Sequence, residues 1–189
     1  RERQFDKLSV TEGLSNDYIT TIFQDSKGYM WIGTQDGLNR YDGEVVKTYN
    51  ADINSSNSLS STYINVIVED DFGNIWIGTS KGLALFNANT ETFTNFHNNP
   101  GNIHGALSSY IFSIKQLKDN KLWIATELNG IMILDLQQNQ FLLPEQIRFE
   151  FIREGDNNYS LSNASARYIF QDSFNNIWIG TWGGGINFI

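Results

Sequence analysis

One stretch of this chain recurs four times, and the recurrence constrains the fold more than any other feature. The segment 28-GYMWIGTQDGLNRYD-42 returns as 73-GNIWIGTSKGLALFN-87, as 120-NKLWIATELNGIMILD-135 and as 175-NNIWIGTWGGGINFI-189. Trp31, Trp76, Trp123 and Trp178 mark its register at intervals of 45, 47 and 55 residues. Upstream of each lies a second matching half: 14-LSNDYITTIFQD-25, 59-LSSTYINVIVED-70, 107-LSSYIFSIKQL-117 and 161-LSNASARYIFQD-172.

Within a unit, short β-branched and aromatic runs alternate with Gly, Asn and Asp turns, and helical periodicity is missing. Ile19 to Gln24, Tyr29 to Thr34, Leu38 to Tyr41 and Val45 to Tyr49 read as four strands in the first copy. A four-stranded antiparallel unit of this length, repeated, is a propeller blade. The chain is therefore expected to be all-β, a β-propeller segment of about four four-stranded antiparallel blades. Blade one spans 14–50, blade two 59–97, blade three 107–152 and blade four 161–189, the last incomplete. Residues 5–10 read as a further N-terminal strand that would close a larger ring. The chain itself is expected to form an open arc whose raw edges bury against another chain or a second copy, the alternative being that residues 5–10 complete blade four in a small closed ring.

The recurrent tryptophan has a packing role in this reading. From the second strand it fills the wedge between neighbouring blades, worth roughly 3–5 kcal/mol against alanine. The glycine two residues on (Gly33, Gly78 and Gly180, with Ala125 in the third copy) leaves the same face open to a neighbour. The longest interval carries extra length around 142-LLPEQIR-148, between the third and fourth strands of blade three, where insertions collect.

Composition narrows the function. With 21 acidic and 13 basic side chains the 189 residues carry a formal charge of −8, without a Lys/Arg cluster, which argues against nucleic acid or an anionic membrane surface as partner. No apolar run approaches the ~20 residues of a membrane span. The absence of cysteine removes thiol nucleophiles, thiolate zinc sites and disulfides together. No G-x-S-x-G elbow, phosphate-cradling loop or H-E-x-x-H pair occurs. His97 and His104 read as solvated loop histidines. The turn aspartates Asp25, Asp70, Asp71 and Asp172 read as Asx turns rather than calcium ligands. No cofactor, metal or catalytic set is expected, and the segment reads as a binding module.

The pattern L-S-x-x-x-I-x-x-I-x-x-D-x-x-G-x-x-W-I-G-T-x-x-G-L resembles the two-component regulator propeller repeat over nearly the whole chain. Departures are Ala125 for Gly, an extra residue within 127-ELNG-130, and Ala166 where other copies carry Ile. The opening 5-FDKLSVTEGLSND-17 is similar to the first residues of such sensors after signal removal. The resemblance implies a periplasmic sensor region of a Bacteroides-type hybrid two-component system, in a ring of seven blades. It would bind an oligosaccharide fragment and relay this to a downstream histidine kinase outside this chain. A propeller scaffold for cell-envelope assembly is the alternative, and a propeller lyase a more distant one.

Strand order puts the loops entering first strands and the turns between second and third strands on one side of a propeller. That side carries Tyr18, Tyr63 and Tyr110, the turn residues Asp36, Lys81 and Glu127, and Trp182, the one tryptophan outside the repeat register. Arg167 sits in a first strand where its equivalents are Thr20, Asn65 and Phe112. An uncompensated Arg is costly inside a protein, so it should be paired or wet. Aromatic faces for sugar C–H groups and polar or charged groups for hydroxyls make these eight residues the candidate ligand site.

Overall fold

The computed structural model describes residues 6–96, 109–139 and 147–189. Blade one contains β1 (Ile19–Gln24), β2 (Met30–Thr34), β3 (Gly37–Tyr41) and β4 (Val46–Tyr49). Blade two contains β5 (Ile64–Glu69), β6 (Ile75–Thr79), β7 (Gly82–Asn87) and β8 (Thr92–Asn95). Blade three contains β9 (Ile111–Gln116), β10 (Lys121–Thr126) and β11 (Ile131–Asp135), then the one-turn helix α1 (Leu136–Asn139) and β12 (Glu150–Ile152). Blade four has three strands, β13 (Ala166–Gln171), β14 (Ile177–Thr181) and β15 (Gly185–Phe188). Every sheet is an antiparallel meander in chain order, the architecture of propeller blades.

The first strands β1, β5, β9 and β13 pack against one another in succession, and no comparable packing joins β13 back to β1. Among the described residues the blades form an open arc. Three apolar clusters fill its three blade boundaries, each holding one repeat tryptophan: Trp31, Trp76 and Trp123. Trp31 is 1% exposed, whereas Trp178, on the end face of the arc, is 37% exposed.

At the first two blade boundaries the glycine two residues after the tryptophan is explained by its neighbour. A Cβ on Gly33 would stand 2.7 Å from Ile64 Cγ2, and one on Gly78 would stand 2.6 Å from Ile111 Cγ2. There the isoleucine that opens the following first strand, Ile64 or Ile111, occupies the space the glycine leaves.

At the N-terminus the described residues 6–10 pair with no strand of this chain. Phe5 lies outside the described residues, residues 6–8 have no regular structure, and Val10–Glu12 is a turn of 3-10 helix. The cause is a capping box in 9-SVTE-12: the Ser9 hydroxyl accepts from the Thr11 N–H, while the Ser9 N–H donates to Glu12 Oε2 at 2.7 Å. Gly13, at φ 110°, ends the turn in the left-handed region. His97, His104 and residues 142–146 of the blade-three insertion fall outside the described residues.

Candidate functional site

In every blade a backbone hydrogen bond ties the turn after the second strand to the loop entering the first. Gln35 N–H donates to Tyr18 O, Ser80 to Tyr63 O, Glu127 to Tyr110 O and Trp182 to Ser165 O, at 3.3, 3.1, 3.0 and 2.9 Å. The repeat threonine braces the same turn. Thr34 Oγ1 donates to Gly37 O and accepts from the Asp36 N–H, and Thr79 does the same with Gly82 and Lys81. These bonds place both sets of loops on one rim.

Each first strand contains a register slip that leaves one residue unpaired: Thr20, Asn65, Phe112 and Arg167 in turn. A bulge of this kind re-aims a side chain. Thr20 Oγ1 uses the freedom to donate to Ile64 O, and Asn65 Nδ2 donates to Ile111 O at 2.9 Å, each tying a blade to the next. Phe112 has no polar group for that bond. Arg167 instead turns back towards blade three, its Cζ 3.8 Å from the Phe112 ring centroid and 4.8 Å from that of Trp182.

A row of rings follows from these positions. Tyr63 and Tyr110 have centroids 5.9 Å apart, and Tyr110 stacks on Phe112 at 4.6 Å and 30°. Tyr18, Ile19 and Thr20 of blade one complete an open cleft of about 340 Å³ with Tyr63, Asn65, Tyr110 and Phe112. Burial pushes the Tyr110 phenol up to about 12, with the Tyr63 hydroxyl adding to the shift and Asn65 opposing it. The phenol therefore stays protonated, and a donor, across the physiological range. Glu127, half-buried, adds its negative charge to the same effect.

Arg167 lacks an ion-pair partner among the described residues, whose two salt bridges join Arg40 and Lys47 to Glu91. Its Nε is buried without a hydrogen bond. The guanidinium is held by rings rather than by a carboxylate.

The eight sequence-predicted residues thus divide. Tyr18, Tyr63 and Tyr110 line one cleft, Arg167 and Trp182 extend the row, and Glu127 borders it. Asp36 and Lys81 are exposed turn residues outside the row, and Lys81 borders a separate depression lined by Ala51 to Ser56, Ser58 to Ser60 and Asn95. Phe112, missed as a site residue, is the ring that joins the tyrosines to Arg167. Its signal in the sequence was an aromatic at the position where other blades carry Thr20 and Asn65. On the opposite rim the turns are occupied by ties between blades: the Ser26 hydroxyl donates to Glu69 at 2.6 Å, Gln116 Nε2 to Asp71 at 2.8 Å, and Lys118 Nζ to Asn175 at 2.6 Å. Among the described residues no group of three His, Asp or Glu side chains is placed to hold a metal ion.

The family model "two component regulator propeller" matches residues 13–36, 58–81 and 160–183, leaving the third copy outside the matched stretches. The extracellular domain of a putative hybrid two component system from B. thetaiotaomicron is 38% identical with a TM-score of 0.53, over 97% of this chain and 41% of that one. The extracellular domain of a second such system from B. thetaiotaomicron is 25% identical with a TM-score of 0.75, over 91% of this chain and 23% of that one. Histidine kinase P4 of Formosa agariphila is 39% identical over 54 residues, 29% of this chain and 4% of that protein. The chain spans less than half the length of each.

Proposed function

We propose that this chain, three stretches of which match the two component regulator propeller model, is part of the periplasmic, ligand-sensing region of a hybrid two-component regulator. Its ligand is a glycan fragment bound on the rim of the arc, and the signal passes to a kinase elsewhere in a longer protein. The observation that carries the reading is the unbroken row from Tyr63 through Tyr110 and Phe112 to Arg167 and Trp182. Ring faces take the apolar C–H side of a pyranose, while a protonated phenol and a guanidinium supply donors for its oxygens. The row crosses blades two, three and four, so one ligand would bridge three blades. Occupancy could then bias how successive blades are set, which a downstream domain can read. Such a set of groups supports binding rather than bond cleavage. The similarity to extracellular sensor domains supports a position outside the cytoplasm.

The test is titration of neutral and acidic oligosaccharides into the chain while following tryptophan fluorescence, comparing Trp182→Ala with Lys27→Ala. Trp182 stands on the ring-lined rim, and Lys27 lies in the turn between β1 and β2 on the opposite rim. A stacking or charge-assisted contact is worth roughly 1.5–3 kcal/mol, so Trp182→Ala should weaken binding about tenfold or more and Lys27→Ala should leave it unchanged. The reverse order would put the ligand on the wrong rim.

A further inference from the structure

We propose that the rim selects an anionic sugar, one bearing a carboxylate or a sulfate, and that Arg167 is the residue that reads the charge. The inference rests on the glycan reading above and narrows its ligand class. The Arg167 guanidinium lies 3.8 Å from the Phe112 centroid and 4.8 Å from that of Trp182, with Nε buried and unbonded and no carboxylate among the described residues paired to it. In a chain with 21 acidic side chains a structural arginine would readily find one.

The repeat does not require an arginine here. At the equivalent positions Thr20 and Asn65 make short polar bonds to the next blade, and those bonds consume their donors. Arg167 is thus the one member of this register with charged donors uncommitted to protein oxygens. A guanidinium presents its N–H groups in a planar fork that matches a carboxylate or sulfate edge, and rings against its faces fix that fork before a ligand arrives. Neutral hydroxyls would leave the charge uncompensated in a half-buried place. The net charge of −8 repels anions at long range, but salt screens that repulsion beyond about 8–10 Å, whereas the contact at Arg167 is screened far less.

Calorimetry on the whole 189-residue chain separates the outcomes. Three probes serve: an oligogalacturonate (carboxylates only), a sulfated galactan oligosaccharide (sulfates only) and an uncharged galacto-oligosaccharide. The expected result is at least tenfold tighter binding of one anionic probe than of the uncharged one, an advantage that shrinks as salt is raised. Which anionic probe wins identifies the charged group. Arg167→Gln should reduce that probe to the affinity of the uncharged one, and Arg167→Lys should restore part of the difference. Trp182→Ala, at an exposed ring, should weaken all three probes while keeping the anionic preference. An uncharged probe that binds as tightly as both anionic ones, or an anionic preference that survives Arg167→Gln, overturns the charge assignment and leaves the glycan reading standing. Binding of none of the three overturns both.

Discussion

Ala125 and Ala166 sit in one buried cluster across the boundary between blades three and four, both fully enclosed. They occupy the positions held by Gly33 and Ile64 at the first boundary and by Gly78 and Ile111 at the second. A methyl is gained on one side and a larger side chain is cut back on the other. The same-blade neighbour follows: where Val66 Cγ1 would stand 2.6 Å from a Cβ on Gly78, the third blade has Ser113. What read as two unrelated departures from the repeat is one compensated change in packing.

This gives the first prediction. Gly78→Ala alone should destabilise by about 1–3 kcal/mol, because its methyl meets packed side chains on two sides. On a Val66→Ser/Ile111→Ala background, which reproduces the third boundary, the added cost of Gly78→Ala should fall below about 0.5 kcal/mol. Urea unfolding of the four chains decides it, and an equal cost in both backgrounds would refute the compensation.

The turn aspartates give the second. Asp70 accepts from the Phe72 and Asn74 N–H groups at 3.0 and 2.9 Å and from Trp76 Nε1 at 2.8 Å, and Asp25 does the same for Lys27, Tyr29 and Trp31. In blade three the position is Leu117, and Trp123 Nε1 is buried without a partner. The blade-three turn keeps the same backbone bonds, Leu117 N–H to Lys121 O and Asn120 N–H to Leu117 O. Asp70→Ala should therefore cost about 2–4 kcal/mol, since several bonds to one buried carboxylate vanish together. Leu117→Ala should cost about 2–5 kcal/mol, and Leu117→Asp less, because the new carboxylate meets a waiting indole N–H. Thermal unfolding ranks the three, and Leu117→Asp falling below Leu117→Ala would sink the argument.

Blade number, strand order and the loop-bearing rim were legible in the sequence because they follow from a period and a turn chemistry, both local. The exposure of Trp178 was not, since a residue in perfect register is buried only if another blade arrives. Nor was the row of rings. The 4.6 Å stack of Tyr110 on Phe112 and the approach of Arg167 across a blade boundary depend on bulges whose direction no alternation of residues reports. Two signals stood in the sequence and were passed over: the S-x-x-E box at Ser9 to Glu12, and Leu117 where three copies have Asp.

The third prediction concerns acid. Glu91 of blade two receives Lys47 and Arg40 of blade one, the latter at 2.9 Å, and the lysine first and the arginine second hold its carboxyl below the ordinary 4.5. A carboxyl depressed in the folded state contributes stability that is present above its unfolded value and is lost as pH falls through the folded value. The melting temperature should therefore drop as pH is taken below about 4.5, and Glu91→Gln should shallow that drop. Asp42 and Asp172 are depressed as well, by turn N–H groups and by the Trp178 indole respectively, so the slope should lessen without vanishing. Identical acid limbs in the two proteins would remove the pair from the account.

The last prediction follows from the ends of the arc. Blade four turns Tyr168, Phe170, Trp178, Ile186 and Phe188 to solvent, and blade one exposes Ile22 at 61% where its equivalent Ile67 is 3% exposed. Beside Gly180, where an isoleucine stands at the first two boundaries, a Cβ would meet only Tyr168 Cβ at 3.9 Å. Ile19 has the register that fills this space elsewhere, so the two ends of separate copies are complementary in the head-to-tail sense. The chain alone should therefore self-associate as its concentration rises, and more so in salt, which screens the −8 charge on each copy. Phe188→Lys at one end, or Ile22→Lys at the other, should suppress this. Val45→Lys, equally exposed in the outer turn of blade one, should not. Sedimentation velocity reads the result. If Phe188→Lys and Val45→Lys sediment alike, the apolar end faces are not what brings copies together. Trp178→Ala provides the energetic counterpart: with no blade against it, its loss should cost well under the roughly 3–5 kcal/mol expected for Trp76→Ala.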